Sequence, residues 1–349
     1  MYNHEYIQKN CPGYIKMKPF FILFLFLFLS TVCYAQISEV DSLVEAGIAF
    51  HDNGEFEKAI GVYQKALNID ANSSVVNYEM AFSYLSAGDY INAEKYSKKV
   101  IELDNSDLLG AYVTYGSALD LQGKTTESIA VYEKAMESYE HYLLYYNHAI
   151  SCYNNGDIDK AYDSAIKALN NNFSHASSHL ILSQIMAEKG NRIKAMLPLY
   201  FFLLIEPASP RAQMQYPVLR NYMDQGVTQK SDKDIETSIP VNSDPDFGTA
   251  EIMISINKPS SHLEENKDKT DLQVFAQSNE SLFKILGELK KENTGFWWDY
   301  YVTFFNDLAN AGLAETFSYY ISQTQGMEVD TWFDEHNTDF ERFKNWMNE

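Results

Sequence analysis

Apolar residues between Val40 and Pro207 recur at helical spacing, and a glycine interrupts them at a nearly constant interval. The interval is 33 to 35 residues, and each glycine is followed five residues later by a small residue, alanine in four copies and serine in one. A fixed period of this length is typical of stacked helix pairs, in which a turn joins a first helix (helix A) to a second (helix B). The turn glycines are Gly54, Gly88, Gly123, Gly156 and Gly190.

The first copy carries the fullest set of repeated positions, and this set resembles the tetratricopeptide repeat, a unit of ~34 residues. The matching positions are Gly47, Phe50, Gly54, Ala59, Tyr63, Ala66 and Leu67. The resemblance implies an all-α fold, a right-handed superhelical solenoid of about five helix pairs. Within one pair, Gly47 and Ala59 would let helices A and B approach closely. The family's closing proline is present only in the last copy, as Pro207.

The pattern changes after the array. Ser209 and Pro210 predict the start of one more helix, over Arg211–Gln225, which covers the open end of the solenoid. Residues 226–246 are polar and lack a helical period, so they predict a linker. We therefore expect a repeat array with its end helix over 36–225, a linker over 226–246 and a C-terminal helical domain over 247–349.

Helical spacing returns in the C-terminal region. Residues 250–257 and Asp271–Lys290 predict helices, and the second is amphipathic. From Phe296 onward, aromatic and apolar residues leave only a narrow polar face, formed by Asp299, Thr303, Asn306 and Asn310. A helix this apolar packs between other helices or presents part of its face to a partner. The region resembles the tail of secreted tetratricopeptide proteins of Bacteroidetes-type bacteria, which implies export and no particular chemistry.

The N-terminus predicts export. Residues 20–29 read FFILFLFLFL and follow Lys16 and Lys18, and small residues precede a cleavage position before Gln36. Residues 1–35 are therefore predicted to be a signal peptide, with Met17 as the better start. Its apolar stretch is too short for a good membrane span. We expect the chain in the periplasm or cell envelope, or secreted.

Cleavage would leave Cys152 as the only cysteine. No intramolecular disulfide is then possible, and Cys152 is predicted to be a buried structural thiol at a helix A packing position. Lipidation of Cys33 is the less favoured alternative, because Val32 is large where such sites carry a small residue.

The formal charge of −21 argues against nucleic acids and anionic membrane surfaces as partners. It favours solubility or a basic partner. We interpret the carboxylates mainly as solvated helix faces, with steering of a basic partner as the alternative.

The inner face of such an array is lined by helix A side chains that point away from helix B. Here that face is apolar and aromatic. The family's pattern places on it Val44, Ile48, His51, Tyr78, Phe82, Leu85, Val113, Ser117, Asp120, Tyr146, Ile150, Tyr153, Leu180 and Gln184. Chaperone-binding relatives clamp a carboxylate with lysines there, and the absence of lysine argues against that mode.

The inner face therefore predicts a groove for an apolar peptide or helix. Its main contacts are expected to be Ile48, His51, Tyr78, Phe82, Tyr146, Ile150 and Tyr153. An equally weighted alternative is that the chain's own C-terminal helices fill the groove.

No catalytic, metal or cofactor motif emerges. ALDLQGKT over 118–125 imitates a phosphate loop, but Gly123 is a turn glycine and no strand precedes it, so we interpret it as a chance match. His175 and His179 have the spacing of a helical pair without a third metal ligand. Trp297 and Trp298 are better explained by core packing than by a stacking platform, since adjacent helix positions point ~100° apart. No cysteine–histidine arrangement is recognised.

The sequence thus predicts a non-enzymatic scaffold that binds a protein or peptide, with no cofactor and no nucleic acid. A rival hypothesis places a ligand-binding or hydrolytic module in the C-terminal domain, where Asp299 or Asp307 would have to converge with Glu335 or His336. A third possibility is a purely structural role, with both aromatic surfaces covered internally.

Overall fold

A computed structural model describes residues 39–103, 108–225, 227–231, 234–237, 245–260, 268–291 and 293–348. The predicted signal peptide, including Met17 and Cys33, lies outside the described residues. The fold is all-α, as predicted, except for one short hairpin. None of the described helices has the length and hydrophobicity that a membrane span requires.

The helices of the repeat region alternate between positions A and B. Helices A are α1 (residues 39–52), α3 (Ser74–Ser86), α5 (Leu109–Leu121), α7 (Tyr142–Asn154) and α9 (Ala176–Glu188). Helices B are α2 (Phe56–Ile69), α4 (Tyr90–Leu103), α6 (Thr125–Met136), α8 (Ile158–Asn171) and α10 (Arg192–Ile205). The predicted end helix is α11 (Pro210–Asp224), and the Ser209 hydroxyl caps it by accepting a 3.0 Å bond from the Ala212 amide.

The turn glycines close each helix A as predicted. All five have a positive φ between 73° and 83°, a conformation that glycine adopts without a steric penalty. At Gly54, the amide of Gly54 bonds the His51 carbonyl and the amide of Glu55 bonds the Phe50 carbonyl. The same pair of bonds recurs around Gly312 in the C-terminal region, a turn that the repeat period does not reveal.

The described residues form two compact units, one ending at Gln122 and one beginning at Gly123. In the first unit, helices A and B of the first pair pack closely because Gly47 has no side chain. A Cβ at Gly47 would lie 2.2 Å from the Tyr63 ring. Tyr63 is buried there with Ala59, Ala66, Leu67, Val76 and Met80.

The second unit contains α6 to α11 and the C-terminal helices. These are α12 (Gly248–Ser260), α13 (Asp271–Lys290), α14 (Thr303–Asn310), α15 (Ala314–Tyr320), α16 (Met327–Glu335) and α17 (Asn337–Met347). Trp297–Val302 forms a π-helical segment before α14, and Gln323–Gln325 a 3₁₀ turn. The predicted bounds of α13 are confirmed, with Thr270 and Gln273 forming a capping box at its start.

Two short strands lie within the segment predicted to be a linker or long loop. β1 (Val227–Ser231) and β2 (Asp234–Thr237) pair antiparallel, with Val227 opposite Thr237 and a shift in register between Gln229 and Ser231. The physical reason is that the two strands satisfy each other's backbone groups and are rich in β-branched residues. The compact units do not divide at this segment, because α10 and α11 belong with the C-terminal helices.

Candidate functional site

In the first unit, an apolar stripe runs along α3. Val75, Tyr78, Phe82 and Leu85 follow one another at the spacing of one helix face. We call these four residues the α3 stripe. Val75 is 56% exposed and Phe82 is 39% exposed, while Tyr78 and Leu85 are half-buried. This face of α3 therefore presents apolar surface to solvent within its unit.

His51 of α1 joins the stripe through Phe82. The two rings stack with their centroids 4.7 Å apart, and His51 Nδ1 lies 2.7 Å from the Ser83 hydroxyl. Tyr78 and Phe82 lie parallel, 6.4 Å apart. The structure thus brings together three of the residues that the sequence predicts as partner contacts, and Ile48 lies half-buried on α1.

Gly110 of α5 allows the Tyr78 ring to lie flat against its neighbour. A Cβ at Gly110 would come within 2.7 Å of that ring. The Tyr78 ring thus contacts both Gly110 and Phe82. The repeat pattern does not mark Gly110, so this contact is not predictable from the repeat alone.

In the second unit, Tyr146, Ile150 and Tyr153 of α7 are half-buried and pack against the main core. The Tyr146 ring meets His175 edge-on at 4.9 Å. His175 in turn lies 2.7 Å from the Ser178 hydroxyl. These residues share a helix face as predicted, but whether either set binds a partner stays a prediction.

The C-terminal helices contact the repeat region through hydrogen bonds and ring contacts. Trp297 Nε1 donates a 3.0 Å bond to the Tyr162 hydroxyl of α8, and Tyr300 stacks on Phe173 at 4.9 Å. Among the described residues, no hydrogen bond or ring contact joins Tyr146 or Tyr153 to residues beyond 246. The predicted core role of Trp297 and Trp298 agrees with their burial.

His179 links α9 to the π-helical segment. Its Nε2 lies 2.7 Å from the Phe173 carbonyl, which can only accept, so Nε2 carries the proton. Nδ1 then accepts a 2.7 Å bond from the Tyr301 hydroxyl. Burial lowers the pKa of His179 to about 4, and the neutral imidazole has both nitrogens satisfied. His175 and His179 thus serve separate contacts and do not converge on a metal.

Arg192, at the start of α10, forms a buried ion pair with Glu251 of α12. Arg192 Nε lies 2.6 Å from Glu251 Oε2, and Glu251 Oε1 accepts a 3.2 Å bond from the Ile193 amide. The remaining guanidinium groups donate to the carbonyls of Gln225 and Glu251 and to the Ser255 hydroxyl. Arg192 thus donates through all three of its nitrogens and Glu251 accepts through both carboxylate oxygens, so this network is a structural clamp.

A cysteine–histidine contact does occur, although the sequence predicts none. Cys152 and His148 lie one turn apart on α7, with Sγ 3.6 Å from Nε2. His148 Nδ1 also lies 2.8 Å from the Ser164 hydroxyl. Burial raises the pKa of the Cys152 thiol to about 11, so the thiol is neutral near pH 7 and a poor nucleophile. Its predicted burial is confirmed.

The acidic residues of the rival C-terminal site are engaged separately. Asp299 accepts a 2.7 Å bond from the Gly295 amide, whereas His336 stacks on Trp332 at 4.5 Å. Within the described ranges, no hydrogen bond or ion pair joins Asp299 or Asp307 to Glu335 or His336. No cluster of three metal-ligating side chains occurs there either. A shallow cavity of about 500 Å³ is lined by Ala311, Leu313, Thr338, Glu341, Arg342, Asn345 and Trp346.

Three stretches of the chain, residues 40–73, 75–107 and 109–142, match the family described as tetratricopeptide repeat. The chain thus carries tetratricopeptide repeats, and their positions agree with the first three predicted copies. The fourth and fifth pairs lie beyond these matches and share the same turn geometry.

Several solved structures have a similar fold over about half of this chain. A tetratricopeptide protein of Thermus thermophilus, TTC0263, is 16% identical over 52% of this chain and 99% of its own, with a TM-score of 0.46. Pseudomonas aeruginosa pilF is 18% identical over 55% of this chain and 91% of its own, with a TM-score of 0.45. YrrB, described as having an unusual peptide-binding site, is 17% identical over 55% of this chain and 97% of its own, with a TM-score of 0.42. These likenesses concern the fold alone. No curated protein matches the chain.

Proposed function

We propose that this protein is an exported, non-enzymatic scaffold of the periplasm or cell envelope, and that its helix A face binds a peptide or helix of a partner protein. The observation that carries the proposal is the α3 stripe, an exposed apolar face within an array of tetratricopeptide repeats. Repeats of this kind support a protein–protein interaction scaffold. A partner that covers the stripe would gain free energy by burying this apolar surface.

The chemistry of the stripe suits a binding hot spot. Phe82 and Tyr78 are rigid rings with few rotatable bonds, so ordering them on binding costs little entropy. Burial of one such ring contributes about 1.5–3 kcal/mol. Contact with His51 and Gly110 already orients the rings, which reduces that cost further.

The partner is best sought by capture from envelope extract with paired variants. Tyr78→Ala with Phe82→Ala removes the rings of the first unit, and Tyr146→Ala with Tyr153→Ala removes those of the second. The control is Ile91→Ala on helix B α4, where a side chain 72% exposed is equally apolar but lies off the predicted face. We expect one dominant protein, retained by the control and lost in one or both paired variants, with unchanged helical content by circular dichroism.

Equal retention by all variants would contradict the groove. Quantitative mass spectrometry of the retained proteins, normalised to the bait, decides between these outcomes. The proposed location has its own measurement, which is N-terminal sequencing of the protein from its native host. A mature chain beginning at Gln36 would support export, whereas an intact N-terminus would contradict it.

A further inference from the structure

The helices that carry the predicted binding face of the first unit hold negative charge and no positive charge. Neither lysine nor arginine occurs in α1, α3 or α5. The carboxylates of these three helices are Glu39, Asp41, Glu45, Asp52, Glu79 and Asp120. A partner that approaches these three helices therefore meets a negative electrostatic potential, which decays over ~10 Å at 0.1 M salt.

All lysines of the described part of this unit lie on helices B. They are Lys58, Lys65, Lys95, Lys98 and Lys99, on α2 and α4. Lys58 pairs with Glu55 beside its own helix, and Lys99 donates to the Ala71 carbonyl. The described lysines of this unit are thus confined to helices B, which also carry carboxylates such as Glu57 and Glu102.

Three carboxylates lie on α1 and α3 beside residues of the predicted binding face. Glu45 and Asp52 are exposed on α1, one turn before and one turn after Ile48. Glu79 sits within α3 between Tyr78 and Phe82 and is half-buried. Among the described residues, no lysine or arginine forms an ion pair with any of the three.

Glu79 is held in an unfavourable setting, with no cation paired to it in the described part of the chain. Burial raises the pKa of Glu79, and the charge of Asp52 raises it further. The two carboxylates are therefore near enough to repel each other, and a cation placed between them would relieve both effects. The flanking rings add a second attraction, because a guanidinium or ammonium group binds the face of an aromatic ring.

We infer that the first unit recognises a basic segment of a partner protein, in which an apolar side chain sits on the α3 stripe and lysine or arginine side chains lie beside Glu45, Asp52 and Glu79. The inference rests on the proposed function and names the chemistry of its partner. The apolar contact supplies affinity, and the carboxylates select a partner with positive charge.

The test uses three synthetic peptides with one apolar centre. The basic probe is Lys-Arg-Gly-Leu-Phe-Gly-Arg-Lys, the acidic probe carries Glu and Asp at the four charged positions, and the neutral probe carries Ser and Asn there. Fluorescence anisotropy of each labelled probe against the purified full chain gives the affinities. We expect the basic probe to bind at least tenfold more tightly than the neutral probe at low salt, and the advantage to shrink as salt screens the charges.

Matched charge variants locate the effect. Asp52→Asn with Glu79→Gln should weaken the basic probe about fivefold to tenfold and leave the neutral probe unchanged. The control, Glu57→Gln with Glu102→Gln, removes the same total charge from exposed positions on helices B. It should change neither affinity by more than about twofold. Folding of the first variant is not at risk, because it removes a repulsion.

The outcomes separate the inference from the proposed function. If Phe82→Ala weakens all probes alike while the basic probe has no advantage, the face binds a partner but the charge inference is wrong. If Phe82→Ala changes no affinity, or if no probe binds, both fail. An equal loss in the helix B control would show general attraction by net charge and also overturn the inference. Sedimentation tests a further outcome. If the protein is a dimer and Phe82→Ala dissociates it, a second copy of the chain occupies the face, and this would also overturn the inference.

Discussion

Helices α2 and α10 both occupy position B in their pairs, yet their surroundings differ. In α2, only Ala59, Tyr63, Ala66 and Leu67 are buried, and Lys58 and Lys65 lie on its exposed side. In α10, 12 of the 14 residues are buried, because α9, α11, α12 and the π-helical segment all pack around it. The two helices share a turn and a small residue five positions after the turn glycine, so the repeat motif does not determine how much of the helix is covered.

The difference lies in the remaining positions. The α2 sequence FEKAIGVYQKALNI alternates apolar and polar residues at helical spacing, whereas α10 reads RIKAMLPLYFFLLI and is apolar on every side. A helix that is apolar all round must be enclosed. In this protein the C-terminal helices enclose it, whereas the α3 stripe of the first unit keeps Val75 and Phe82 exposed.

The largest effect should come from breaking the clamp that joins α10 to α12. Arg192→Ala leaves Glu251 buried and uncompensated, which should cost about 3–5 kcal/mol of unfolding free energy. All four tryptophans lie beyond residue 296, so tryptophan fluorescence during urea unfolding reports on this unit. The control is Arg192→Met with Glu251→Leu, which removes both charges and should recover most of the loss. A single-variant cost below about 1 kcal/mol would mean that the pair is not enclosed as described.

The second effect is a pH dependence confined to the enclosed unit. His179 has a pKa of about 4 in the folded protein, against an ordinary value of 6.5. Above pH 6.5 both states are neutral and the contribution is constant. As pH falls from 6.5 to 4, the unfolded chain binds a proton that the folded chain does not, so stability is lost, by about 3 kcal/mol in total.

Urea unfolding followed by tryptophan fluorescence across this pH range measures the slope. Burial also lowers the pKa values of His148 and His175, so the wild type contains their contributions too. His179→Gln isolates the contribution of His179. In this variant the unfolding free energy should change less steeply with pH, because the contribution of His179 is absent. Identical slopes in the two proteins would contradict the buried neutral imidazole.

The sequence predicted those features that depend on neighbouring residues. The glycine turns, the Ser209 cap and the bounds of α13 all follow from local signals, because a cap or a turn is made within a few residues. The helix A face was also predictable, since the repeat assigns each position a direction. The turn at Gly312 has the same local signature and could have been found from LANAGLAE, but it lies outside the regular period.

The sequence could not predict what packs against what. Tyr301 and His179 are 122 residues apart, and no local pattern joins them. The same holds for the stacking of His51 on Phe82, which joins two separate helices A, and for the hairpin of β1 and β2, whose strands are short. These contacts depend on tertiary packing, which overrides local propensity.

The smallest effect compares one buried tyrosine in each of the contrasted helices. Tyr200 of α10 donates a 2.6 Å bond to Asn279 Oδ1, and Asn279 donates onward to the Ser318 hydroxyl. Tyr200→Phe should therefore cost about 1–3 kcal/mol, because it leaves a buried acceptor unsatisfied. Among the described residues, the buried Tyr63 hydroxyl of α2 makes no hydrogen bond of standard geometry, although the Ser83 side chain lies near it, so Tyr63→Phe should be nearly neutral. Hydrogen exchange of α2 and α10 by mass spectrometry measures both variants in one experiment. If both variants lose the same amount of protection from exchange, the Tyr63 hydroxyl also forms a hydrogen bond in solution. The difference between α2 and α10 would then lie only in how much of each helix is covered by its neighbours.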